Sequence, residues 1–77
     1  PAPDAAAFSE QVKREAVRVL IDQLGPMAES LAIRIERARS ADELRALLEQ
    51  GHRHIRDLRG AFVAAAFADR FLADETA

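Results

Sequence analysis

The chain has 77 residues, 49% hydrophobic and 31% charged, with no cysteine and a formal net charge of −2. A chain this short holds one small domain with a marginally sufficient core, which excludes a deep substrate cleft beside a separate cofactor unit. Without cysteine it has no disulfide framework, thiolate nucleophile or Cys-rich zinc site, and its slight acidity argues against affinity built on neutralising phosphate. The expectation is a noncatalytic, cytoplasmic domain without cofactor. No apolar run approaches the roughly 18 to 20 residues that span a bilayer, and no secretory-signal pattern opens the chain.

Seventeen alanines, ten arginines and a single lysine are consistent with a GC-rich bacterial coding sequence. Ala, Leu, Arg and Glu are strong helix formers, β-branched residues are scattered, and no segment alternates with period two, so the expected class is all-α. The spacing predicts a bundle of three to four helices over about residues 5–24, 26–39, 41–59 and 61–73. The opening Pro1-Ala2-Pro3-Asp4 reads as a linker remnant from a longer protein, residues 5–73 as one helical domain, and residues 74–77 as a frayed tail.

The first helix is expected to be capped by Asp4 or Ser9 and to end at Gly25-Pro26. Ala5, Phe8, Val12, Ala16, Val19 and Leu20 share one arc, while Val17, Ile21 and Leu24 widen the apolar surface beyond what a single buried stripe requires. Glu10 precedes Arg14 by the four residues of an exposed ion pair. Pro26 suits the first turn of a second helix, whose stripe is Met27, Leu31, Ile35 and Ala38, with Ile33 on the opposite side.

Ser40-Ala41-Asp42-Glu43 has the spacing of a capping box and opens the third helix. Leu44, Leu48, Gly51, Ile55 and Leu58 follow its buried side, with Leu47 at the edge and Gly51 a candidate close-packing position. Beyond Gly60 the register changes to Val63, Phe67 and Phe71, which requires a bend or a fourth helix. Phe62, Phe67 and Phe71 are there interspersed with small alanines, to which a neighbouring helix can come close.

Both histidines lie in the one segment with chemical potential, Gly51-His52-Arg53-His54-Ile55-Arg56-Asp57-Leu58-Arg59. Residues two apart on a helix diverge by about 160°, so His52 and His54 do not form a metal-binding pair. His54 and Asp57 have hydrogen-bonding spacing but no nearby nucleophile, and read as a solvated pair. His52, Arg53, Arg56 and Arg59 share a flank able to meet an anionic partner. Glu49, four residues before Arg53, would offset part of that charge, and no interleaved aromatic is present to stack on a base.

The run Leu24-Gly25-Pro26-Met27-Ala28, the helix start Ser40-Ala41-Asp42-Glu43-Leu44, and Phe62 or Phe67 near the end together resemble a small helical domain found C-terminally in bacterial signalling proteins, including serine/threonine kinases. The likeness covers roughly residues 19–71, and departs from the pattern at His52-Arg53-His54 and in the alanine-rich tail. It implies an accessory interaction module with no catalytic residues. The expected function is thus noncatalytic oligomerisation or docking within a larger regulatory protein, as a homodimer or with a helical partner. The interaction surface is expected to include Val17, Ile21, Leu24, Ile33, Phe67 and Phe71. The alternative is a helix-turn-helix-like DNA-binding domain, which the charge balance opposes.

Overall fold

Helix-forming composition, breaks at Gly25 and Gly60 and the short link of residues 37–40 give four α-helices among the described residues. The computed structural model describes residues 10–72, comprising α1 (Glu10–Leu24), a 3-10 turn (Gly25–Ala28), α2 (Glu29–Glu36), α3 (Ala41–Arg59) and α4 (Ala61–Phe71). Among the described residues there is no strand, and no helix is long and apolar enough to cross a membrane. The expected caps Asp4 and Ser9, the core positions Ala5 and Phe8, the linker and the tail lie outside the described residues.

Gly25 stops α1 by adopting φ +65, a left-handed conformation that costs glycine little and other residues more. The expected second helix is shorter than its pattern. Pro26 starts a 3-10 turn, the α-helix begins only at Glu29, and it closes at Glu36 with Arg37 as C-cap. Consequently Met27, expected in the core stripe, is exposed, whereas Ala28 beside it is buried. Ala38 remains buried although it lies past the helix.

The bounds of α3 match the expectation. The Ser40 hydroxyl accepts from the Glu43 amide at 3.0 Å, the first half of the capping box. In the return half the Glu43 carboxylate accepts from the Arg39 amide, also at 3.0 Å, one residue before the expected Ser40 donor. Gly51 continues the helix and is buried, its Cα side against Leu20 of α1. Gly60, at φ 99 and ψ 170, separates α3 from α4 in a conformation reserved almost wholly for glycine. Leu58, expected on the buried stripe, is exposed beside this break.

Leu20, Ile35, Leu44 and Ile55 are the largest fully buried side chains, joined by Ala16, Leu24, Leu31, Leu47, Leu48, Ala64 and Phe67 in one core. Each large aliphatic side chain removed from water contributes about 1.5 to 3 kcal/mol. The molecule measures 36 × 28 × 16 Å. Two helix layers separated by 8 to 10 Å, plus a Cα radius of about 2.3 Å on each side, come to about 13 to 15 Å, close to the thin dimension. Among the described residues no third layer covers the outer sides of the helices.

Lys13, the single lysine, stands one turn before Ala16 on the inward stripe of α1 and is buried, 4% exposed. Its ammonium donates to the Ala38 carbonyl at 2.9 Å and reaches Glu10 at 3.4 Å. It thereby pins the chain beyond α2 to the start of α1. Glu10 therefore pairs with Lys13 in place of the expected Arg14. Val12, expected in the core, is half-buried.

Candidate interaction site

Two helix layers leave each helix an outer side, and the expected interaction residues divide accordingly. On α1, Ile21 is 47% exposed, and on α2, Ile33 is 45% exposed. Val17 is half-buried against the core. A shallow depression lined by Ile21, Gly25, Pro26 and Glu29 marks the corner between α1 and α2, and Ile33 lies one turn beyond Glu29. Leu24 and Phe67 are core residues, 5% and 3% exposed, and do not project from the outer surface as expected, although Phe67 also lines a groove between α1 and α4. Both lie on the sides of their helices that face the second layer, and that direction decides their burial.

Phe71 is half-buried. Its ring centroid lies 4.9 Å from that of Phe67, and the Arg70 guanidinium sits 5.2 Å above it. Arg70 also donates to Glu15 at 3.1 Å, bridging α4 to α1. The two helices are otherwise parted by a groove of about 170 Å³ lined by Val19, Gln23, Val63, Ala66, Phe67, Arg70 and Phe71, with Ile55 of α3 beneath. Glu15 meets Arg70 at one end of α1, and Gln23 belongs to the other end. The Gln23 Oε1 is buried with no hydrogen-bond partner among the described residues. An unpaired buried amide oxygen costs about 1 to 3 kcal/mol.

Phe62 was not among the expected contacts, yet it is the most exposed large hydrophobic residue described, at 89%. The sequence carries a signal for it: Phe62 is one residue ahead of the Val63-Phe67-Phe71 stripe, which turns it roughly 100° away from the core.

His52 is half-buried, and Arg53, Arg56 and Arg59 are exposed. Glu49 pairs with Arg45 at 3.4 Å, not with Arg53 as expected, so the flank keeps its charge. None of these three arginines belongs to an ion pair among the described residues. Arg56 and Arg59 lie in the last turn of α3, where positive charge complements the helix dipole. His54 and Asp57 are both exposed, and no three His, Asp or Glu side chains converge as a metal site among the described residues. No protein-family model matches the sequence, and comparison with curated proteins and with solved structures gives no match.

Proposed function

We propose that this chain is a noncatalytic helical association module, pairing with a second copy of itself or with a helix of a partner protein. Support comes from one observation above all: Ile21, Met27, Ile33, Leu58 and Phe62 remain exposed on a molecule only two helix layers thick. Single exposed apolar residues are ordinary, but this many on so small a surface is the distribution that association relieves. In this reading the module serves a larger bacterial regulatory or signalling protein in the cytoplasm, the setting its Leu-Gly-Pro turn resembles. Sedimentation velocity from micromolar to near-millimolar protein tests it. The expected result is a mass that rises from monomer toward dimer; a monomer mass at every concentration refutes self-association.

The unpaired Arg53, Arg56 and Arg59 favour a second reading, in which the C-terminal half of α3 meets a phosphate backbone. It predicts binding to mixed duplex DNA that weakens steeply with salt and is reduced by Arg56→Ala. No binding at low salt eliminates it.

A further inference from the structure

We propose, building on the self-association reading, that two copies dock through α4, each inserting Phe62 into the groove between α1 and α4 of the other. The molecule carries both halves of this contact. Phe62 projects into solvent at 89% exposure, and the groove of about 170 Å³ has walls of Val19, Val63, Phe67 and Phe71. An enclosed apolar cavity of about 150 Å³ accommodates a benzene ring, so this open groove, which Gln23 and Arg70 also line, has room for a phenylalanine ring against its apolar walls.

The position of Phe62 relative to the groove identifies the occupant as a second copy. Phe62 and Ala66 are four residues apart and share one side of α4, and Ala66 lines the groove. At 89% exposure the Phe62 ring does not occupy the groove of its own chain, whose lining does not include it. A second α4 laid antiparallel across Ala66 brings each Phe62 over the Ala66–Arg70 end of the opposite groove. The contact is then reciprocal, as a twofold interface requires, and it closes at two chains instead of growing into a filament. Ala65 and Ala66 are exposed and small, which permits the close approach of two backbones. At its end of the groove Arg70 already lies over one aromatic ring, Phe71, and can present its guanidinium to a second. An interface of little more than α4, 11 residues long, is smaller than the roughly 20 to 30 residues a side of a standard stable interface, so dimerisation should be weak and require roughly tens of micromolar protein or more.

The experiment is sedimentation velocity on the whole chain and its Phe62→Ala and Ala46→Gln variants, with helical circular dichroism to verify folding. Wild type should dimerise, Phe62→Ala should weaken dimerisation by roughly 10- to 100-fold, and Ala46→Gln, at an exposed position of α3, should leave it within about threefold. A second readout uses the lack of native cysteine. Ala66→Cys, near the twofold axis, should form a disulfide-linked dimer under mild oxidation, whereas Ala46→Cys, exposed on α3, should not. A wild type that stays monomeric overturns both this inference and the self-association reading. Dimers that survive Phe62→Ala, or that Ala46→Gln dissociates, overturn the α4 interface and leave self-association standing. Equal crosslinking of the two cysteine variants likewise refutes the antiparallel arrangement.

Discussion

Replacing Gly51 with alanine sets two opposed effects against each other at the contact between α1 and α3. A helix-interior glycine is less favourable than alanine by about 0.5 to 1 kcal/mol, so the substitution would stabilise an isolated α3. At this position, however, the new Cβ would meet Leu20 at 2.7 Å from Cδ2, 3.3 Å from Cδ1 and 3.5 Å from Cγ. The atoms met are the methyl end of a flexible side chain, but Leu20 is fully buried, so any shift of its methyls must be taken up by the packed core around it. The helices must separate or Leu20 must leave its rotamer, and such overpacking costs about 1 to 3 kcal/mol. Gly51→Ala should therefore destabilise the domain by about 1 kcal/mol, with a fall in melting temperature of roughly 4 to 8 °C.

Urea denaturation followed by helical circular dichroism, at one fixed protein concentration, measures the difference. Leu20→Ala provides the second arm of a double-mutant cycle. Alone it should cost about 2 to 5 kcal/mol through cavity formation, but combined with Gly51→Ala the added methyl occupies part of that cavity. The double variant should consequently lose less than the sum of the single losses. If Gly51→Ala instead raises stability by about 1 kcal/mol, as at a solvent-facing helical glycine, the close approach of α1 and α3 at this point is wrong.

Gly60→Ala should cost about 1 to 3 kcal/mol in the same denaturation assay, because φ 99 with ψ 170 is strained for any side chain even though nothing lies within 4 Å of the added Cβ. Lys13→Met keeps most of the buried stem but leaves the Ala38 carbonyl without its ammonium donor, and a loss of about 1 to 2 kcal/mol is expected; unchanged stability would mean that desolvation of the charge cancels the bond. Gln23→Leu should raise stability by about 1 kcal/mol in thermal melts by removing the buried unpaired oxygen. Arg56→Ala, on an exposed flank without an ion pair, should remain within about 0.5 kcal/mol of wild type, and a larger loss would show that the flank is not solvated.

The sequence was most legible where local chemistry alone determines structure. Ser40 and Glu43 announce the start of α3, Gly60 its end, and Gly25-Pro26 the end of α1, because caps and left-handed glycines act within a few residues. Helical periodicity likewise identified Leu20, Ile35, Leu44 and Ile55 as inward-facing. It could not say how far along each helix the opposing layer extends. Met27 falls in the 3-10 turn, where the α-helical phase no longer holds, and Leu58 sits in the last turn of α3 beside the Gly60 break, and both are exposed. Leu24 and Phe67 were assigned to an outer surface on apolar excess, yet their phase agrees with Leu20 and Ala64, which are buried. Ion pairing was ambiguous for another reason. Glu49 has arginines four residues away on both sides, and Glu10 has Lys13 and Arg14 within reach. For Glu10, the inward position of Lys13 decides the pairing. Nothing in the structure explains why Glu49 takes Arg45 over Arg53.

Where the domain is weakly joined also bears on what association would accomplish. α4 rests mainly on α3, through Ala64 and Phe67, and touches α1 in few places. Among the described residues a polar link to α1 is the Arg70–Glu15 pair, whose side chains are 57% and 41% exposed, and an ion pair so solvated contributes at most about 1 kcal/mol. The α1–α4 groove is thus the most weakly joined contact of α4, and Gly60 is the junction that separates α4 from α3. A ring inserted into that groove touches Val19 on one wall and Val63, Phe67 and Phe71 on the other, so it holds α4 against α1 as well as joining two molecules. Binding that engages only the closed arrangement adds stability in proportion to its occupancy. The same apolar residues that leave the monomer incompletely covered would, once paired, complete the contact between its first and last described helices.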